Sequence, residues 1–285
     1  MKRFAVFALA AAGALGFAAP AHAQFGGTCD RASLQEVADK YIEAQETGMP
    51  LLVPMGNWVV YRENFKQSSM STGVLSTALK VDKHLTLLDE TTCNVFIELI
   101  AANNPHPYVI AVQFPVRGGN AGNFDVISTD EGDWLFDAAA TLRYANQEDW
   151  SVIPEGQRAT RDELIAAANA YLDLFKDKSV QVPWGTPCAR LEGGLYTAKG
   201  QPDDSCNVGV PENIELTNRR YVADPTIGAV SVFLEFGPTK LPDSHTFRVE
   251  NGKIRYIHTV TNCGDKPNCG FPPFNPNNPP AANAD

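Results

Sequence analysis

A helix-patterned stretch followed by strand-patterned sequence occurs twice in this chain, and that repetition limits the fold more than any other feature. Arg31–Thr47 carries Leu34, Val37, Ala38, Tyr41, Ile42 and Ala44 at three- and four-residue spacing, and Gly48 with Pro50 stops it. Arg161–Lys176 repeats the pattern with Leu164, Ile165, Ala168, Tyr171, Leu172 and Phe175. After the first helix, Tyr41 leads through Val53-Pro54 to Glu63. After the second, Tyr171 leads through Val182-Pro183 to Glu192, so the tyrosine-to-glutamate spacings are 22 and 21. Further on, Val95-Phe96-Ile97-Glu98-Leu99 resembles Val232-Phe233-Leu234-Glu235-Phe236, each shortly after an aspartate-bearing turn, Asp89 or Asp224. We read an internal repeat: an amphipathic helix, then a curved antiparallel sheet to cover it, twice.

The strand signals support this α+β reading. His106–Val116, Arg219–Phe236 and Ser244–Thr261 hold β-branched and aromatic runs, and Asn251-Gly252 is a strong two-residue hairpin signal. The expected organisation is a first unit over residues 24–136, a polar connecting segment over 137–160 and a second unit over 161–269. Residues 270–285, rich in Pro and Asn, have the composition of a disordered tail.

The first 23 residues read as a secretory signal peptide. Lys2 and Arg3 precede an apolar run from Phe4 to Ala18, and Ala21-His22-Ala23 supplies a cleavage pattern before Gln24. That run is too short for a membrane anchor. The expected location is therefore exported, in the periplasm or the medium, with no membrane contact after cleavage. All six cysteines follow Gln24, and an even number in an oxidising compartment favours three disulfides. Of about 15 pairings, Cys29–Cys93, Cys188–Cys206 and Cys263–Cys269 keep each bridge within one apparent unit. Without Lys2 and Arg3, the 23 basic residues fall to 21 against 33 acidic ones, and the net charge of −10 becomes −12. Such a surface repels phosphate backbones, which argues against nucleic acid as a partner.

A helix with a tyrosine near its end, followed by a long-stranded sheet, resembles the SnoaL-like, nuclear-transport-factor-two-like superfamily of cone-shaped folds. The run from Pro183-Trp184-Gly185 to Gly194, Arg219-Arg220-Tyr221-Val222 and the stretch Asp243–His258 are similar to an uncharacterised family of secreted proteins common in filamentous fungi. The resemblance implies two tandem cone-shaped units, each a long helix packed on a curved antiparallel sheet. It also implies a ligand site on the inner face of the curved sheet of the second unit, the first unit being mainly structural or covering the cavity. The superfamily includes isomerases with a carboxylate base after the first helix and a helix tyrosine at the oxyanion site. Glu192 and Tyr171 hold similar places in the second unit, and Glu63 and Tyr41 in the first.

The hairpin about Asn251-Gly252 allows the strand faces to be worked out. An unbroken register sets Phe247 opposite Tyr256 and His245 opposite His258, which places both histidines on one face with Phe247, Val249, Ile254 and Tyr256. Histidine exchanges protons near neutrality, and a carboxylate raised by an apolar pocket suits a general base. The candidate catalytic residues are Glu192, His245, His258 and Tyr171. Trp184, Phe247, Tyr256 and Arg219 are candidate ligand-binding residues. Each has a structural alternative: core or rim histidines, and an ion pair of Glu192 with Arg190 or Arg219. Gly193-Gly194 beside Glu192 would admit a ligand or a neighbouring strand.

Phosphate loops, dinucleotide fingerprints, GxSxG elbows and HExxH helices do not occur in the sequence, so no cofactor and no metal are expected. The leading expectation is a cofactor-independent lyase or isomerase acting by proton transfer on a small, largely apolar, oxygenated molecule. The alternative is a non-catalytic module that holds a small molecule or a partner. Oligomeric state, a homo-oligomer included, is left open.

Overall fold

The computed structural model describes Met1 and residues 29–271. The signal segment after Met1 and all but the start of the expected tail lie outside the described residues. Among the described residues there are three α-helices: α1 (Arg31–Thr47), α2 (Ala138–Ala145) and α3 (Arg161–Asp173). The strands are β1 (Tyr61–Glu63), β2 (Lys66–Ser68), β3 (Lys83–Asp89), β4 (Asn94–Ala101), β5 (Tyr108–Arg117), β6 (Asn120–Ala121) and β7 (Phe124–Thr129). They continue with β8 (Trp184–Glu192), β9 (Leu195–Tyr196), β10 (Leu216–Asp224), β11 (Ala229–Phe236), β12 (Leu241–Glu250) and β13 (Lys253–Thr261).

Local chemistry sets the helix ends. Asp30 caps α1 by accepting from the Ser33 amide, and Gly48 ends it in the left-handed region at φ 67°. A Cβ at Gly48 would meet the Ala78 backbone nitrogen at 2.8 Å, so the position excludes a side chain on two counts. Thr160 and Glu163 form a reciprocal capping box at the start of α3.

The strands of the described residues form two sheets. The first runs β2-β1-β7-β5-β4-β3, with β6 attached to β5; the second runs β10-β11-β12-β13-β8-β9. Read from β3 and from β10, the two orders correspond strand for strand. Each sheet contains one parallel pair, β1 with β7 and β8 with β13, and is otherwise antiparallel. This overturns the expectation of two cone-shaped units, each a long helix on a curved antiparallel sheet. The sheets are mixed, the described residues are 21% helical against 36% strand, and sheet rather than helix dominates among them. The reason lies in the chain path: the first strand of each sheet returns beside the last one, which places them parallel.

Helix α1 buries Leu34, Val37 and Tyr41 against one face of the first sheet, and α3 buries Leu164, Tyr171 and Leu172 against one face of the second. The remaining faces pack on each other through Phe96, Ile127, Leu191, Val222 and Phe233, with Ala138 and Ala145 of α2 beside them. A strand buried on both faces needs no polar alternation. Thus β4 reads Val95, Ile97 and Leu99 toward α1, and Phe96, Glu98 and Ile100 toward the second sheet.

Three disulfides, Cys29–Cys93, Cys188–Cys206 and Cys263–Cys269, pair as expected and leave no free cysteine among the described residues. Among those residues no helix is long and apolar enough to cross a membrane, which says nothing of β-barrels.

Candidate functional site between the two sheets

Strand β13 leaves the Asn251-Gly252 turn in the expected register: Glu250 faces Lys253, and Val249 faces Ile254. The register then shifts. Arg248 pairs with Tyr256, Thr246 with His258, and His245 with Thr259, so Arg255 is the extra residue of a β-bulge. One added residue exchanges the faces of everything beyond it. The two histidines therefore do not share a face, contrary to the unbroken hairpin register. His245 points toward α3, and His258 points between the sheets.

His258 is held at both ring nitrogens. Nδ1 lies 2.7 Å from Glu98 Oε1 on β4, and Nε2 lies 2.5 Å from Glu148 Oε2, in the segment after α2. Trp150 Nε1 donates to the same Glu148 oxygen at 2.9 Å, and its ring meets the imidazole edge-on. Burial alone would lower the His258 pKa, but Glu98 and Glu148 outweigh it and push it up to about 10. The imidazole is thus a cation at neutral pH. Tyr256 flanks Trp150 on the same face, and burial, then Glu148, push the Tyr196 hydroxyl above its ordinary range.

The carboxylates are not fully satisfied. Glu98 is 3% exposed and Glu148 9%, yet Glu98 Oε2 and Glu148 Oε1 have no hydrogen-bond partner. Both residues, with His258 and Trp150, line a cavity of about 100 Å³ whose other walls include Lys83, Leu85, Ile100 and Ala145. A smaller space of about 10 Å³, enough for about one water, adjoins Glu98 and His258 near Thr141 and Leu191. No group of three His, Cys, Asp or Glu residues among the described residues is arranged to hold a metal ion.

The other candidates gather on the far side of the second sheet, under α3. His245 Nδ1 lies 2.5 Å from Asp243 Oδ1, and Thr261 donates to Asp243 Oδ2 at 2.6 Å. Tyr171 accepts from Arg190 Nη1 at 3.3 Å and packs on His245, Phe247 and Trp184. Glu192 pairs with Arg190 Nε at 3.3 Å and accepts from Trp134 Nε1 at 3.4 Å. Arg219 is spent on Asn169, Asp173 and the Leu216 carbonyl. Gly193 and Gly194 admit protein rather than ligand: Cβ atoms there would meet Trp134 O at 2.5 Å and Asp137 Cβ at 2.3 Å.

Of the sequence candidates, His258 and Tyr256 therefore face the space between the sheets, whereas Glu192, His245, Tyr171, Phe247, Trp184 and Arg219 serve the α3 side. Sequence reading missed Glu98, Glu148 and Trp150. Glu98 carried a signal, being the only charge in an otherwise apolar strand, since a buried charge must be paired. Glu148 and Trp150 lie in an irregular segment whose periodicity says nothing about direction.

Residues 157–261 match the model of a domain of unknown function (DUF8021). The match spans α3 and β8 to β13, so it includes His258 but neither of its carboxylate partners. No curated protein matches the chain.

Proposed function

We propose that the chain is an exported protein whose working site is the inter-sheet cavity, where Glu98, Glu148 and His258 receive a small molecule. The observation that carries this reading is the pair of buried carboxylate oxygens without partners. A buried polar group left unsatisfied costs about 1–3 kcal/mol, and more when charged. A ligand that supplies donors recovers that cost. Export is supported by the basic-apolar-small pattern of residues 1–23 and by three disulfides, which persist in oxidising compartments.

A second reading, a cofactor-independent lyase or isomerase, draws on the same carboxylates. Each is anchored through one oxygen and unoccupied at the other, an arrangement suited to a general base. His258 holds its proton between two anions and acts as a clamp rather than a shuttle. Glu192 and His245, on the other face of the sheet, take no part.

Mass analysis of small molecules extracted from the natively produced protein, before and after incubation, separates the two readings. An unchanged bound molecule indicates a binding module, and a rearranged or dehydrated one indicates an enzyme. The site assignment is wrong if Glu98→Gln and Glu148→Gln both retain the wild-type affinity for the extracted molecule.

A further inference from the structure

We infer that the disulfide loop after β13 is a thiol-labile strap across one wall of the inter-sheet site, and that opening the Cys263–Cys269 bridge admits solvent to Glu98 and His258. The inference concerns access to that space and stands whatever the site receives. With the bridge closed, Glu98 Oε2 and Glu148 Oε1 each expose less than 1 Å² to solvent, so part of the structure must move before either is reached.

The wall is the segment between β7 and α2. Its half-buried Trp134 and Phe136, with Gly193 from the β8–β9 turn, enclose the space of about 10 Å³ whose inner side is Glu98 and His258. Residues 262–269 double back from the end of β13 onto this segment. The Asn268 amide donates to Gly132 O at 2.6 Å, and Asn268 Oδ1 accepts from the Leu135 amide at 3.1 Å. Leu135 O in turn accepts from the Gly194 amide at 2.8 Å, and Phe271 meets the Trp134 ring edge-on at 5.2 Å. Asp133 accepts from Asn262 Nδ2 and from the Cys263 amide, but these contacts lie at the root of the loop and do not need the bridge.

Leu135 at φ 47° and Cys269 at φ 56° occupy the left-handed region, which residues other than glycine and asparagine seldom adopt unless their surroundings hold them there. The closed loop holds both: Cys269 covalently, and Leu135 through Asn268. The wall's contact from Trp134 Nε1 to Glu192 Oε2 is long, at 3.4 Å, and adds little.

Two features single out this bridge. Residues 264–267 are exposed and Cys269 is half-buried, whereas Cys188 and Cys206 are fully buried. It also closes the shortest loop, 6 positions against 18 and 64, so its loss costs the fold least. A dithiol reductant supplies the chemistry. Its first thiolate attacks Cys269 Sγ, the S–S bond breaks and Cys263 leaves as a thiolate; the second thiolate then attacks the reductant's sulfur in the mixed disulfide and releases Cys269. The reductant ends as a disulfide, and its two protons pass to the two protein thiols.

Carboxyl labelling of the native full chain with a carbodiimide and glycine ethyl ester, together with amide hydrogen exchange, tests this without any ligand. Under graded dithiothreitol, Cys263 and Cys269 should become alkylatable before the other cysteines. In that form Glu98 should label, and the Leu135 and Gly194 amides should exchange roughly tenfold faster or more, as the loss of one or two hydrogen bonds implies. The Leu88 and Ala223 amides should keep their protection. Combined Cys263→Ser and Cys269→Ser should reproduce this without reductant. Asn268→Gly, which keeps the left-handed backbone and removes the side-chain acceptor, should speed exchange at Leu135 with the bridge intact. Glu98 left unlabelled in the folded double variant overturns the strap. Earlier opening of another bridge overturns the choice of this one, and equal loss of protection at Leu88 and Ala223 shows a general staple and overturns the strap as well.

Discussion

Asp89 and Asp224 reach across to each other's strands. Asp89, at the end of β3, accepts from the Ala223 amide on β10 at 3.2 Å, and Asp224, at the end of β10, accepts from the Leu88 amide on β3 at 3.0 Å. Each also pairs with the first residue of the helix belonging to the other half: Asp89 with Arg161 at 2.9 Å, and Asp224 with Arg31 at 2.8 Å. Both aspartates are buried. The edge strands of the two sheets are thus fastened by one device used twice.

Removing either half of the device should be costly. Asp89→Ala or Asp224→Ala is expected to destabilise by about 3–5 kcal/mol, since each leaves a buried amide and an arginine without a partner. Urea unfolding measures this. The double variant should lose less than the sum if the two clasps act as one unit. Strict additivity would show them to be independent.

The stability of the protein should fall as the solution becomes alkaline. Below about pH 6.5, the ordinary value for histidine, His258 is protonated whether folded or not, and its contribution is complete. From there to about pH 10 the folded state holds a proton that the unfolded state lacks, so each pH step weakens the fold by about 1.4 kcal/mol. The loss over the whole window is on the order of 4–5 kcal/mol. Denaturant midpoints at pH 7 and pH 9.5 should differ accordingly. Glu148→Gln, which removes one of the two anions, should flatten the slope.

The two faces of the second sheet can be told apart by mutation. Glu192→Gln and His245→Asn alter the cluster under α3, and His245→Asn should destabilise by about 1–3 kcal/mol by leaving Asp243 short of a partner. Neither should change ligand affinity in the inter-sheet cavity. Calorimetry on folded variants checks this, and a clear loss of affinity in either one would show that the faces communicate.

Mass spectrometry without reductant should find three disulfides. By loop length alone, removing the Cys29–Cys93 bridge, whose partners are 64 positions apart, should cost about 4 kcal/mol, against about 3 for Cys188–Cys206 at 18 and about 2 for Cys263–Cys269 at 6. Paired Cys→Ala variants followed by urea unfolding give the order, and a reversed order would mean that contacts around Cys188 and Cys206 outweigh loop length.

Features that depend on neighbours in sequence were legible, and those that depend on neighbours in space were not. The spacing of Leu34, Val37 and Tyr41 and the stops at Gly48 and Pro50 gave α1 with its observed ends, and Asn251-Gly252 gave the hairpin turn. The parallel pairing of β1 with β7 and of β8 with β13 leaves no periodic trace, so the pattern of residues alone reads as antiparallel in both sheets. The bulge at Arg255 is equally silent: nothing in Lys253-Ile254-Arg255-Tyr256 distinguishes a bulged strand from a straight one. That single residue moved His258 away from His245 and toward Glu98, a partner 160 residues distant in sequence.

The parallel pairs also bear on how the chain is made. In each sheet the strand synthesised last, β7 or β13, has an interior place between an early strand and the middle of the sheet. A nascent unit therefore cannot close by adding strands at its rim; until β7 or β13 leaves the ribosome, β1 and β8 have only short β2 and β9 beside them, and β5 and β12 each keep an open flank. Topologies of this kind depend on contacts far apart in sequence and fold slowly. Each half thus has an interval, ending with its last strand, when unpaired strand edges are most open to misassembly.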